Sequence, residues 1–189
     1  MPITIVSGLP RSGTSLMMQM LERGGLPLLT DDHRAPDESN PRGYFEFEPV
    51  KHLRTDRSWL ARAEGRAVKI IHLLLRELPT DGTFSYRVIL LKRPIQEILA
   101  SQQTMLERQG KTSASAETLT RVYTSQMAEV EAWLSAQPSF SVLPVAHGHL
   151  LADPLRAAAE INEFLDGTMD VAAMASAVDP QLHRQRTSD

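Results

Sequence analysis

The fold of this chain is decided by its opening stretch, Ile3-Thr4-Ile5-Val6-Ser7-Gly8-Leu9-Pro10-Arg11-Ser12-Gly13-Thr14-Ser15. The short run of β-branched and apolar residues at 3–6 is typical of a buried parallel strand. A glycine-containing loop at 8–13 follows it, and helical spacing of apolar residues then predicts a helix over 14–23, which Gly24-Gly25 ends. A loop between a strand and a helix presents main-chain N–H groups and the positive end of the helix dipole to an anion. The stretch therefore predicts a phosphate-binding loop, with an ordinary strand-to-helix turn as the alternative.

The predicted ligands of the phosphate are the loop residues Pro10, Arg11, Ser12, Gly13, Thr14 and Ser15. Glycines let the main chain curl so that successive N–H groups point inward, and the hydroxyl groups add further donors. ATP and GTP enzymes carry a Lys at the position of Thr14, where it reaches the β- and γ-phosphates. This loop instead offers Arg11, whose planar guanidinium suits a phosphate. The later strand at 87–91 runs into Lys92-Arg93 rather than an acidic magnesium ligand. We therefore expect a phosphate ligand without a γ-phosphate and no metal.

The rest of the chain alternates predicted strands with predicted helices. Buried-strand patterns occur at 67–71, 87–91 and 141–145. Helical patterns occur at 49–63, 94–109, 116–136 and 153–166. Strands that alternate with helices indicate a parallel sheet covered on both faces. The predicted fold is α/β, a three-layer αβα arrangement with a central parallel sheet of the P-loop nucleotide-binding type, in a single domain over 1–189.

Composition excludes several classes of protein. The chain has 189 residues, a net charge of −3 and no cysteine, so thiol catalysis and disulfides are excluded and binding of a nucleic acid polymer is not expected. No apolar run approaches the roughly 20 residues that span a bilayer. Met1-Pro2-Ile3-Thr4 does not resemble a signal peptide. The sequence predicts a cytoplasmic protein without a membrane span.

Two segments resemble the PAPS-dependent sulfotransferase family. The loop at 8–15 resembles the family's 5′-phosphosulfate loop, in the Pro-Arg-Ser-Gly-Thr form of Golgi and bacterial members. The segment at 88–94, followed by Ser101, resembles the family's 3′-phosphate element, in which an Arg ends a strand and a Ser follows eight residues later. That spacing keeps Ser101 on the face of the helix start. The resemblance implies that Arg93 and Ser101 bind the 3′-phosphate of PAPS, the nucleotide cosubstrate, and that an unidentified acceptor receives the sulfuryl group.

Less specific similarities cover much of the remaining chain. Val68-Lys69 resembles a strand that places a Lys near the bridging oxygen, and the segment at 40–46 is similar to one common in bacterial members. His147-Gly148-His149-Leu150 stands where members often have Tyr-Glu-Asp-Leu. The family's Arg-Lys-Gly loop is absent, and His183-Arg184-Gln185-Arg186 is a candidate to replace it.

Sulfuryl transfer needs cations, a base and a rigidly held donor. Arg11 and Lys69 are the candidates to stabilise charge. Glu46 is the first candidate for the base, because the aromatic residues before it would exclude water and make its carboxylate a stronger base. His72 is the second candidate. A solvated loop carboxylate and a structural histidine are the respective alternatives, and a metal site at His147 and His149 is a minor one.

Three functions follow from these patterns. The first is a sulfotransferase that moves a sulfuryl group from PAPS to a hydroxyl or amine. The second is a P-loop kinase-like enzyme that uses ATP, and the third is a non-catalytic nucleotide-binding member of the sulfotransferase family. The acceptor and the oligomeric state have no signature in the sequence.

Overall fold

A computed structural model of the chain describes residues 1–31, 43–108, 110 and 114–179. Within this part, four strands form one sheet in which every pair of neighbours is parallel. The strands are β1 (Ile3–Gly8), β2 (Ala67–Lys69), β3 (Tyr86–Lys92) and β4 (Phe140–Ala146), and they lie in the order β2-β1-β3-β4. The predicted α/β fold with a parallel sheet is confirmed.

Helices connect the strands and cover the sheet. The α-helices are α1 (Thr14–Arg23), α2 (Leu60–Ala63), α3 (Ile95–Arg108), α4 (Ala116–Ser135), α5 (His147–Ala152), α6 (Pro154–Phe164) and α7 (Val171–Ala175). Two short 3₁₀ helices cover Glu48–His52 and His72–Glu77. No helix in the described ranges is both long enough and apolar enough to cross a bilayer.

Two hydrophobic clusters lie on opposite faces of the sheet. Ile3 and Ile5 of β1 belong to one cluster with α4 and the 3₁₀ helices, whereas Val6 belongs to the other with α1, α6 and α7. Successive side chains of a strand point to opposite faces, so the sheet is buried from both sides. This explains why the two central strands, β1 and β3, are mainly apolar in the sequence.

The structure corrects the predicted helix over 49–63. The chain forms the 3₁₀ helix Glu48–His52 and, after a turn, only the four residues of α2. Asp56 causes part of the interruption, because its Oδ1 accepts a hydrogen bond from the N–H of Ser58 at 2.9 Å. A side chain that binds the nearby main chain in this way competes with helix formation.

The region after β4 also differs from expectation. His147 and His149 do not share a strand face, because β4 ends at Ala146 and α5 begins at His147. The described residues contain no group of three metal-ligating side chains. A metal site at these two histidines, the minor alternative from the sequence, therefore loses the geometry on which it rested.

Candidate active site

The site lies where the carboxyl ends of β1 and β3 meet. Gly8, the last residue of β1, is paired in register with Leu91 of β3. The loop that follows β1 and the Lys92-Arg93 pair that follows Leu91 therefore emerge side by side. Ligands of open parallel sheets bind at such an edge.

The predicted phosphate loop, residues 8–15 and called the phosphate loop below, curls through an uncommon main-chain conformation. Arg11 has a φ of 69°, and Gly13 has a φ of 102°. The N–H of Ser12 donates to the carbonyl of Leu9 at 3.2 Å, which closes the turn. A positive φ at a non-glycine residue is costly, and such residues cluster at binding sites.

Helix α1 begins directly at the loop. Gly13 occupies the N-cap position, and because glycine has no side chain, the first turn has no side-chain cap. The first turn of α1 also contains no acidic residue. The amide donors of Thr14 and Ser15 thus stand at a helix start whose partial positive charge is not offset by a neighbouring carboxylate of that turn.

Three of the predicted phosphate ligands form a hydrogen-bonded cluster, which we call the arginine cluster and define as Arg11, Arg93 and Ser101. Arg93 Nη1 donates to the main-chain oxygen of Arg11 at 3.0 Å. Arg11 Nε donates to Ser101 Oγ, also at 3.0 Å. The structure therefore brings the two predicted phosphate-binding elements, which are far apart in the sequence, into direct contact.

Glu97 borders the arginine cluster and had no role in the sequence-based prediction. Its Oε2 accepts a hydrogen bond from Arg93 Nε at 2.9 Å, and the side chains are 11% and 9% exposed. The spacing of four residues on a helix is the signal that could have revealed this pair.

The remaining loop residues differ in exposure. Pro10 is exposed, Thr14 and Ser15 are half-buried, and Ser12 is fully buried. Ser12 Oγ has no hydrogen-bond partner among the described residues and lies beneath the loop, 2.6 Å from the point that a Cβ on Gly8 would occupy. The predicted binding roles of these residues stay predictions.

Lys69 and Glu46, two of the catalytic candidates, lie close together on the β2 side of the loop. Lys69 Nζ is 3.9 Å from Glu46 Oε1, and it donates a hydrogen bond to the carbonyl of Tyr44. Ser15 Oγ donates to the same carbonyl at 3.4 Å. This main-chain oxygen joins the start of α1 to the end of β2, a link that no side-chain pattern could have indicated.

The segment that carries Glu46 is fixed on its other side as well. The carbonyl of Glu46 accepts from the N–H of Asp31 at 2.8 Å, and Phe45 has a φ of 51°. Lys69 is 10% exposed and Glu46 is 30% exposed. The carboxylate therefore keeps access to solvent, whereas the ammonium group is largely enclosed.

His72, the second candidate for the base, begins the 3₁₀ helix after β2. Its side chain is 2% exposed, and its Nε2 lies 3.0 Å from Gln126 Oε1 of α4. Its Nδ1 is buried and has no hydrogen-bond partner in the described part of the chain. These contacts are those of a core histidine that joins two elements.

His147 contacts the phosphate loop from the β4 side. A Cβ on Gly13 would lie 2.7 Å from Cδ2 of the His147 ring, and the ring is buried. Only a glycine fits at this close approach. The contact follows from the position of β4 beside β3, so it could not be read from local sequence.

A cavity of about 450 Å³ opens beside Arg93, between α3 and α4. Its lining is mainly apolar and includes Leu91, Ile98 and Met127. Pockets of this size accept small molecules. Arg93 therefore borders both the phosphate loop and an apolar cavity.

Two predicted features fall on residues that the structure does not describe. The segment at 40–42, which begins one of the less specific similarities, lies outside the described ranges. The same holds for the candidate tail at 183–186.

Comparison with solved structures identifies the fold. The chain is similar to the sulfotransferase domain of the olefin synthase from Synechococcus PCC 7002, with 18% identity, a TM-score of 0.57, and coverage of 100% of this chain and 89% of that one. It is also similar to the sulfotransferase domain of the curacin biosynthetic pathway, with 11% identity, a TM-score of 0.54, and coverage of 96% and 89%. A sulfotransferase from Alicyclobacillus acidocaldarius has 15% identity, a TM-score of 0.51, and coverage of 96% and 88%.

Comparison of the sequence alone finds no such similarity. No protein-family model matches the chain, and no curated protein sequence matches it. At the low identities of the structural neighbours, what is shared is the three-dimensional arrangement. The fold of this chain is that of sulfotransferase domains.

Proposed function

We propose that this protein transfers a sulfuryl group from PAPS to a hydroxyl or amine acceptor. The observation that carries the proposal is the arginine cluster, in which Arg93 and Ser101 meet the phosphate loop through Arg11. PAPS has phosphate groups at both ends of its ribose, at the 5′ and 3′ positions. A site with two adjacent cationic elements suits such a ligand better than a single linear polyphosphate.

The phosphate loop would hold the 5′-phosphosulfate. Its main-chain N–H groups and the start of α1 stabilise negative charge without any metal. Arg93 and Ser101 would hold the 3′-phosphate, and Arg11 would lie between the two groups. Rigid attachment at both phosphates fixes the sulfur atom for attack from one direction.

Lys69 and Glu46 would carry the chemistry. In the reaction, the acceptor oxygen or nitrogen forms a bond to sulfur while the bond from sulfur to the 5′-phosphate oxygen breaks. The acceptor proton moves to Glu46, and adenosine 3′,5′-bisphosphate leaves. Lys69 and Arg11 would stabilise the charge that builds on the sulfuryl and phosphate oxygens.

Glu46 is a better candidate than His72 for the base. The carboxylate of Glu46 is partly exposed and lies 3.9 Å from Lys69 Nζ. A base must reach the proton that it removes, whereas His72 is buried and its Nε2 faces Gln126. The catalytic role of His72 is therefore the weaker part of the sequence-based prediction.

Calorimetric titration with adenosine 3′,5′-bisphosphate in EDTA tests the proposal directly. We expect saturable binding without magnesium, together with transfer of labelled sulfur from PAPS to at least one member of a panel of phenols, alcohols and amines. Binding of ATP with Mg²⁺ but not of the bisphosphate would indicate the kinase-like alternative. Binding of the bisphosphate without transfer to any acceptor would indicate a non-catalytic member.

A further inference from the structure

Glu97 lies against Arg93, and no step of the proposed reaction uses it. The two side chains form a hydrogen-bonded ion pair, with 2.9 Å between Arg93 Nε and Glu97 Oε2. Both side chains are about nine-tenths enclosed. Solvent screens such a pair much less than an exposed one. The carboxylate therefore offsets a large part of the positive charge that Arg93 presents to a ligand.

The orientation of Arg93 does not depend on Glu97 alone. Arg93 Nη1 donates to the main-chain oxygen of Arg11 from another direction. A neutral side chain at position 97 that still accepts a hydrogen bond would keep the guanidinium in place. The negative charge of Glu97 and its hydrogen bond are thus separable by substitution.

The geometry points to Glu97 as the residue that limits how tightly this site binds the second phosphate of a nucleotide. This inference rests on the proposed function, since it requires a ligand with a phosphate at Arg93. A carboxylate beside Arg93 weakens the attraction for a phosphate dianion held by that residue more than the attraction for one held by the loop, because the Coulomb interaction falls with distance. The consequence is selective: Glu97 speeds release of a bisphosphate product and has a much smaller effect on a nucleotide that has only a 5′-phosphate.

The substitution Glu97→Gln removes the charge and keeps the length of the side chain and an oxygen to accept from Arg93 Nε. Calorimetry should compare adenosine 3′,5′-bisphosphate with adenosine 5′-phosphate on the wild-type protein and the variant. We expect the variant to bind the bisphosphate about tenfold more tightly, because the substitution removes the repulsion between the carboxylate and a phosphate dianion held by Arg93. The affinity for adenosine 5′-phosphate should change much less.

Glu107→Gln is the matched control, because it removes the same charge from the same helix. Glu107 is exposed and accepts a hydrogen bond from Gln103 Nε2. It lies ten residues further along α3, about 15 Å from position 97. It should change neither affinity. Glu97→Ala gives a second variant, which should bind the bisphosphate more tightly than the wild type but less tightly than Glu97→Gln.

Several results would overturn the inference. One is equal or weaker binding of the bisphosphate by both variants, which would mean that Glu97 only orients Arg93. Another is an equal gain for both nucleotides, which would indicate a general change of charge. If the wild type and all variants fail to bind the bisphosphate, the proposed function and this inference both fall. If the wild type binds and Glu97→Gln shows no gain, only the inference falls.

Discussion

The two sides of the phosphate loop are built differently. On the β3 side, Arg93 follows a seven-residue strand and Ser101 lies on the 14-residue helix α3. On the β2 side, Lys69 ends a three-residue strand and Glu46 lies in an irregular segment next to residues that the structure does not describe. The β3 side rests on long regular elements, and the β2 side rests on short ones.

We infer from this difference that the two sides have different roles. Long elements hold side chains in place accurately, as the rigid binding of a ligand requires. Loops and short elements vary more easily and often carry the residues that meet different partners. We therefore expect substitutions on the β3 side to change nucleotide affinity and substitutions on the β2 side to change the rate of transfer.

The largest expected effect is on the rate, from Glu46→Gln. The amide cannot accept the acceptor proton, so transfer from PAPS should fall by about 10²- to 10⁴-fold. The affinity for adenosine 3′,5′-bisphosphate should change little. His72→Gln is the comparison, with a small expected effect on the rate. A larger loss of rate from His72→Gln than from Glu46→Gln would indicate that His72, and not Glu46, is the base.

The next largest effect is on affinity, from Arg93→Ala. Loss of a charge-assisted contact to phosphate and of the link to Arg11 should weaken bisphosphate binding by about 10- to 100-fold. Calorimetry measures this, and adenosine 5′-phosphate should lose much less. Arg156→Ala, which removes an exposed arginine from α6, should change neither affinity. Equal losses for the two nucleotides would show that Arg93 does not contact the 3′-phosphate.

A smaller effect is expected on the free energy of unfolding, from alanine substitutions at two glycines with positive φ. Gly13→Ala and Gly25→Ala both place a side chain at positive φ, 102° and 93°, but only the first meets His147. The φ cost is about 1–2 kcal/mol at each position, and the contact at Gly13 should add about 1–3 kcal/mol. Urea unfolding measures both changes. Bisphosphate binding should fall only in Gly13→Ala. Similar losses of stability in the two variants would contradict the contact between Gly13 and His147.

The smallest expected effect is on the melting temperature, from an ion pair that lies on neither side of the phosphate loop. Arg87 and Asp166 form a double ion pair at 2.6 Å, and its hydrogen bonds hold the pKa of Asp166 below the ordinary value. A lowered carboxyl pKa contributes stability above the pKa of the unfolded state, and this is lost as the pH falls through the folded pKa. Asp166→Asn should thus lower the melting temperature slightly at neutral pH and not at strongly acidic pH. Glu163→Gln, an exposed carboxylate on α6, should show no such dependence.

Local patterns predicted the elements that local residues determine. Helix α1 has the predicted bounds, because apolar spacing and the Gly24-Gly25 stop are both contained in the sequence. The helix predicted over 49–63 was wrong, because apolar periodicity does not register the hydrogen bond from the N–H of Ser58 to Asp56 Oδ1, which favours a turn there. Periodicity also does not specify which strands pair, so the contact of His147 with Gly13 required the structure.

The same distinction applies to the site. Arg93, Glu97 and Ser101 are spaced four residues apart, so their position on one face of α3 and of the residues just before it follows from spacing. Lys69 meets Glu46 only because the segment at 43–47 folds back onto β2, where a main-chain carbonyl receives both Lys69 and Ser15. Main-chain contacts carry no residue signature, and this is why the β2 side was the harder one to predict.

A crystal structure of the protein with adenosine 3′,5′-bisphosphate tests the central claim most directly. We predict the 5′-phosphate within hydrogen-bond distance of the main-chain N–H groups at 11–15, and the 3′-phosphate in contact with Arg93 and Ser101. A nucleotide bound elsewhere, or one whose 3′-phosphate points away from Arg93, would contradict it.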